Sequence, residues 1–220
     1  MKRRLIFSAL LMGFCFLSGA LQSRAQSSDP PKFELAAEFT SITKPSYDNG
    51  HTEPGFGGRI TYNVKKSIAV EAAGYFFPHK CRFGFCVSDN QGNATEALVG
   101  VKAGKRFEKW GIFAKGRPGL MSFSQGKSGF IQTGSSPFSI TFQHDRATHP
   151  AFDLGGVLEF YPTKRLVTRF DAGDTLIHYS RRTENFIVYD ITGTPSLFPF
   201  TRPAETRHNF QFAASVGFRF

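Results

Sequence analysis

From Asn209 to the last residue the chain alternates without a break. Phe210, Phe212, Ala214, Val216, Phe218 and Phe220 are apolar, whereas Asn209, Gln211, Ala213, Ser215, Gly217 and Arg219 are polar or small. Period two is the mark of a strand with two unlike faces. The same pattern recurs upstream and predicts strands at about Lys32–Ser41, Gly55–Val64, Ser67–Phe77, Ala94–Phe107, Trp110–Phe123, His149–Tyr161 and Arg165–Tyr179. With the terminal strand this makes eight. Each supplies the ~9–11 residues that a tilted strand needs to cross a bilayer.

The connections alternate as well. Short turns at Val64–Ser67, Phe107–Trp110 and Tyr161–Arg165 are interleaved with long segments at Thr43–Pro54, Pro78–Asn93, Ser124–Thr148 and Ser180–Thr206. In an up-and-down barrel this puts every long loop at one end, as in outer-membrane barrels. The predicted fold is therefore all-β: an eight-stranded antiparallel up-and-down transmembrane β-barrel. A soluble barrel of the lipocalin kind would share the alternation but turn its apolar face inward.

The polar face separates the two. It carries the acids Glu34, Glu38, Glu71, Glu96, Asp153, Glu159 and Asp171, and the bases Arg59, Lys102, Arg106, Lys115, Arg117, Arg169 and Arg219. Seven meet seven. A solvated face has no need of that balance, whereas a buried one does, because buried charge must be paired. Gly57, Ala73, Gly119, Gly155 and Gly217 share the face and leave room for long side chains to cross an interior just wide enough to be filled. The expectation is a plugged lumen with ion pairs among these fourteen residues. Phe33, Tyr62, Phe76, Phe107, Trp110, Phe160 and Phe220 lie near strand ends, where aromatic girdles sit.

The first 25 residues have a different pattern. Lys2, Arg3 and Arg4 precede the apolar run Leu5–Leu17, and Ser23-Arg24-Ala25 offers small residues before a cut. This reads as a secretory signal peptide over residues 1–25, with a barrel domain over 26–220. The run is shorter than the ~20 residues of a spanning helix, and Phe14 before Cys15 does not suit a lipoprotein anchor. The leader holds four of the 27 basic residues and no acid, leaving 23 bases against 17 acids. Nucleic acid is not an expected partner of an exported chain, and the moderate basic excess suits anionic lipid headgroups. No cofactor or metal site is expected. Cys81 and Cys86 are the only cysteines beyond the leader, and in an oxidising compartment they are expected to form a disulfide. A metal site with His79 or His51 would not match a zinc spacing.

These features together resemble the small eight-stranded bacterial outer-membrane barrels, the OmpA transmembrane-domain and Ail-type class. The leader, the alternating strands, the loop asymmetry and the segment Gln211–Phe220 carry the resemblance. Arg169-Phe170-Asp171-Ala172-Gly173-Asp174 is also similar to the penultimate strand of such domains. The resemblance implies an integral outer-membrane location with extracellular loops. It also implies that Phe210, Phe212, Phe218 and Phe220 form a C-terminal signal for the barrel-assembly machinery. No segment follows Phe220 to supply a peptidoglycan-binding domain, so cell-wall anchoring is not expected.

The fold hosts anchors, adhesins and lipid enzymes, so function must come from the site. Lipid A deacylases on similar barrels carry a His-x-Ser-Asn stretch. This chain has His178-Tyr179-Ser180 followed by Arg181, with Glu184 the nearest acid, and the missing Asn leaves the oxyanion side without a donor. The expectation is no enzyme, with a lipid A-modifying acyl hydrolase or a narrow channel as alternatives. The loops are the better place for function. Ser128–Phe142 reads as an extended hairpin and Phe186–Ile191 as a strand-like run, both able to raise the wall above the membrane and to recruit a surface protein partner by strand addition. Phe198, Phe200 and Tyr189 would supply apolar contacts there. Arg181, Arg182, Lys127, Arg146, Lys80 and Arg82 lie at the rim, placed to meet lipopolysaccharide phosphates.

Overall fold

A computed structural model describes residues 30–44, 51–78, 90–133, 139–189, 192 and 194–220. The predicted leader and the Cys81–Cys86 pair lie outside the described residues. The strands are β1 (Phe33–Lys44), β2 (His51–Lys65), β3 (Ile68–Phe77), β4 (Asn90–Arg106), β5 (Trp110–Thr133), β6 (Ser139–Phe160), β7 (Leu166–Tyr179), β8 (Arg182–Tyr189), β9 (Pro195–Arg202) and β10 (Glu205–Arg219).

Eight of them, β1 to β7 and β10, form a closed antiparallel barrel. The sheet runs β4-β3-β2-β1-β10-β7-β6-β5, and β4 pairs with β5 to complete the ring. The chain ends meet at the seam. Glu34 faces Arg219 across β1 and β10, and Phe33 and Phe220 exchange two backbone hydrogen bonds of 2.9 Å. The short connections 66–67, 107–109 and 161–165 lie at one end, and the long ones at the other.

Side chains along each wall alternate between exposed and buried, as β3 shows over its whole length. Leu35, Phe39, Phe56, Ile60, Val99, Ile112, Leu154, Val216 and Phe218 stand half exposed on the outside. Aromatic contacts ring the short-turn end: Phe107 stacks on Trp110 at 4.2 Å, and Phe33 lies 5.1 Å from Tyr62 and 6.3 Å from Phe220. Charged groups occupy the inside, which excludes the inverted, lipocalin-like arrangement.

Two features extend the eight-strand reading. First, β5 and β6 continue beyond the other strands and stay paired to Thr133 and Ser139, the hairpin expected at Ser128–Phe142. Second, β7 and β10 are joined through a second hairpin. The strand-like run near Phe186 is β8, whose partner β9 was not foreseen. Pro195 and Pro199 mask β9 in the sequence, since proline is tolerated mainly in edge strands. β8 pairs in parallel with β5 from Gly129↔Asn185 to Ile131↔Ile187. The other edge of β5 is taken by β6, so the hairpin reaches past β6 to the edge that β4 leaves beyond Asn90.

Candidate functional site

The inward positions build three layers. At the short-turn end Arg106 lies between two carboxylates, 3.6 Å from Glu34 and 3.6 Å from Glu159, and donates to the Tyr161 hydroxyl at 2.9 Å. Arg219 sits 3.3 Å from Glu34 with its guanidinium 4.4 Å over the Tyr161 ring. Asn63 donates to Glu34 at 2.9 Å.

The middle of the barrel is a continuous ionic web. Arg169 donates from both ends of its fork. One side meets Glu71, with Nη2 at 3.0 Å from Oε2, and the other meets Asp171 at 2.7 and 2.8 Å. Lys102 pairs with Glu159 and lies 3.4 Å from Glu71. Arg59 donates to Glu38 at 2.6 Å, and Tyr75 donates to the other oxygen of the same carboxylate at 2.5 Å. Lys115 and Arg117 converge on Asp153 at 2.9 and 2.7 Å. Strand geometry makes this possible. Residues paired directly across neighbouring strands point to the same face, as Glu34 and Arg219 or Thr61 and Glu71 do, and the lack of side chains at Gly57 and Gly217 admits the long ones. A Cβ on Gly57 would lie 2.7 Å from the Tyr75 ring and 2.0 Å from the Gly74 carbonyl oxygen.

Glu96 departs from the expected ion pairing. It is fully buried, but among the described residues it meets no cation. Its carboxylate accepts from the Gln211 amide at 3.0 Å, and Gln211 is held in turn by Thr40 at 3.2 Å and Thr175 at 2.5 Å. The nearby cations, Lys115 and Arg117, are already engaged by Asp153. The other thirteen charged residues named from the sequence all lie within 4 Å of an opposite charge inside the barrel.

Above Glu96 the lumen turns apolar. Ile42, Phe77, Leu98, Met121, Phe123 and Ile177 are buried together and form an apolar plug toward the long-loop end. The sequence signal for it is the loss of alternation at Phe76-Phe77, Leu120-Met121 and Leu176-Ile177, where both faces become apolar.

Tyr179 packs on this plug, with its ring tilted against that of His149 at a centroid distance of 4.4 Å. Over it a cavity of about 190 Å³ opens where the β8–β9 hairpin leaves the wall, lined by the ends of β7 and β9 and the starts of β8 and β10. The structure brings Arg182, named from the sequence, together with Arg202 and Arg207, which were not. Arg181 and Arg146 are exposed elsewhere on the rim, while Lys80 and Arg82 lie outside the described residues. His178 and Ser180 are both exposed at the end of β7, and the His178 ring shares a hydrogen bond of 3.0 Å with the Thr206 hydroxyl on β10. Among the described residues no group of three His, Cys, Asp or Glu side chains is placed to hold a metal ion. Phe210, Phe212, Phe218 and Phe220 all face outward on the seam strand and its end.

A closed ring of eight antiparallel strands, greasy outside and filled with paired charge inside, is the architecture of the small outer-membrane β-barrel proteins. Solved structures bear this out. The chain is similar to neisserial surface protein A (NspA), with a TM-score of 0.53 and 8% identity over 86% of this chain and 97% of that one. It is also similar to the attachment invasion locus protein Ail of Yersinia pestis, solved with the heparin analogue sucrose octasulfate, with a TM-score of 0.50 and 11% identity over 87% of this chain and 99% of that one. At these identities the likeness is one of fold. No family model and no curated protein sequence matches the chain.

Proposed function

We propose that the protein is an integral protein of the bacterial outer membrane, with its short turns toward the periplasm and its long-loop end outside the cell. Its barrel is a closed scaffold that neither conducts ions nor catalyses a reaction, and its role is structural or one of recognition at the long-loop end. Lipopolysaccharide surrounds its wall, a surface protein meets its loops, and the barrel-assembly machinery reads the terminal strand through Phe210, Phe212, Phe218 and Phe220.

One observation carries the reading: half-exposed Phe, Leu, Ile and Val cover the outside while the guanidinium and carboxylate groups are sealed within. In water the reverse would be stable, because exposed apolar area is costly at roughly 25 cal/mol per Å² and buried ions must recover their hydration from each other. In a bilayer both halves of the pattern are favourable, and a closed ring leaves no backbone edge in hydrocarbon.

Outer-membrane fractions separated on a gel with and without boiling test it. The folded barrel is expected to change mobility on boiling, and recovery of the chain only in the soluble fraction would refute the proposal. Planar-bilayer recordings are expected to show no unitary conductance. Ser180→Ala is expected to leave the acyl pattern of lipid A unchanged by mass spectrometry, and an altered pattern would restore the acyl hydrolase.

A further inference from the structure

We propose that the short-turn end carries a ring of cations that binds the headgroups of anionic phospholipids in the membrane leaflet it meets. This rests on the membrane reading above and adds to it the class of lipid that this end selects.

Placement is the first argument. The three short connections join β2 to β3, β4 to β5 and β6 to β7, so they stand at intervals around the rim. Each brings two exposed bases: Lys65 and Lys66 at the first, Lys105 and Lys109 at the second, Lys164 and Arg165 at the third. The one acid in these connections is Glu108. The seam adds one charge of each sign, Lys32 and the terminal carboxylate of Phe220. Glu34 and Glu159 do not answer the ring, because they are buried in the lumen and held there by Arg106, Arg219 and Lys102. Lys65, Lys105, Lys109, Lys164 and Arg165 form no ion pair among the described residues. At the opposite end the signs mix, with Asp145 next to Arg146 and Glu205 paired to Arg207.

Lys105 sets the depth of the ring. On β4 it has the parity of the exposed Val99 and Val101, so it stands on the outer wall and not in the lumen. Its ammonium lies 5.2 Å over the Phe107 ring, and Phe107 stacks on Trp110 at 4.2 Å. A lysine on the lipid face is tolerated near the interface, where its apolar stem lies along the wall and its charge reaches the headgroups. The aromatic girdle marks the same level. Cations at headgroup depth attract anionic lipid, each adding to the pull within a screening length. Their spread around the rim suits an annulus of small anions better than one compact partner docked on one side.

The test uses the barrel refolded in vesicles of phosphatidylcholine and phosphatidylglycerol, with one lipid or the other brominated on its acyl chains. Bromine quenches a nearby tryptophan, and the single tryptophan, Trp110, is exposed within this rim. The Tyr161 N–H donates to the Lys109 carbonyl at 2.9 Å, so the second and third connections adjoin and Trp110 reports on both. Brominated phosphatidylglycerol is expected to quench as though enriched about threefold or more over brominated phosphatidylcholine. The preference is expected to fade at about 1 M salt, where the screening length falls to ~3 Å. Lys105→Gln/Lys109→Gln/Lys164→Gln/Arg165→Gln is expected to abolish it, whereas Lys105→Arg/Lys109→Arg keeps it. Arg146→Gln/Arg181→Gln at the long-loop end leaves it unchanged. Equal quenching by the two lipids in the unaltered barrel, or a preference that survives in the four-site variant, would overturn the proposal and leave the barrel in its bilayer. Absence of quenching by either lipid would overturn the membrane reading beneath it as well. The boiling-dependent gel shift checks that each variant is folded, and the salt series on the unaltered protein decides the matter even if a variant is not.

Discussion

Arg169 is the residue on which the lumen turns, and its removal is the sharpest test of the ionic web. The side chain is wholly buried on β7 and reaches Glu71 on β3, across the barrel, and Asp171 beside it. Arg169→Met keeps most of the volume and removes five donors. A charge-assisted hydrogen bond is worth ~1.5–3 kcal/mol, so a naive sum over four such bonds, ~6–12 kcal/mol, would match the whole stability of most domains, ~5–15 kcal/mol. The sum overstates the loss, because Glu71 keeps Lys102 at 3.4 Å and Asp171 keeps Lys115 at 3.5 Å. Breaking one side of a buried pair costs ~3–5 kcal/mol in general, and that range is expected here. Glu71→Met alone is expected to cost less, since Lys102 retains Glu159 and Arg59 retains Glu38. In the double variant the two losses should overlap by ~2 kcal/mol, within the usual range for contacting residues. Urea unfolding in lipid vesicles, followed through the single Trp110 at the short-turn end, reads all three. A loss below ~1 kcal/mol for Arg169→Met, or strict additivity in the cycle, would show that the web is solvated and that the lumen is not the dry, paired interior described here.

Three further outcomes are expected. Gly57→Ala destabilises by ~1–3 kcal/mol through overpacking, since its Cβ would press on Tyr75 and the Gly74 carbonyl, whereas Gly156→Ala on the outer face meets nothing within 4 Å and is neutral in the same unfolding assay. Val99→Arg, half exposed midway along β4, costs ~2–4 kcal/mol in vesicles, while Phe107→Arg at the girdle costs ~0–1 kcal/mol; equal costs would contradict a bilayer around the wall. Phe220→Ala leaves the unfolding midpoint of the refolded barrel nearly unchanged but lowers its yield in the outer membrane, measured by quantitative immunoblot; unchanged yield would remove Phe220 from the assembly signal.

Much of the barrel was legible because the bilayer enforces a strict code. A strand with lipid on one side and a packed lumen on the other must alternate, and Phe210–Phe220 does so without exception. The balance of acids and bases was legible for the same reason, since unpaired lumen charge is too costly to keep. Pairing partners were not. Arg169 finds Glu71 across the barrel, a contact set by strand order and tilt rather than by spacing along the chain. Glu96 shows the limit of counting: charge balance assigned it a cation, and geometry gives it Gln211. The apolar plug was hidden because alternation fails where both faces are greasy, and β9 was hidden by its prolines. The mouth cavity is assembled from two short connections, at 179–182 and 200–207, that the β8–β9 hairpin brings together, and of its three arginines only Arg182 was singled out from the sequence.

The plug and the web occlude the lumen in different ways, and that difference can be tested. An apolar constriction blocks by staying dry, and water enters once enough side-chain volume is removed. An ionic layer blocks by being filled: Arg59, Lys102, Arg169 and their carboxylates occupy the cross-section with bonds that water would have to replace one for one. Met121→Ala/Phe123→Ala takes two fully buried side chains out of the plug, at ~2–5 kcal/mol each. It should let water down to Glu96 and no further, because the Lys102–Glu159 and Arg169–Glu71 layer beneath is intact. Planar-bilayer recordings on this variant are therefore expected to stay at the baseline of the unaltered barrel. Unitary currents from it would mean that the plug alone closes the lumen and that the charges below line a wet path, which would turn the scaffold into a gated channel.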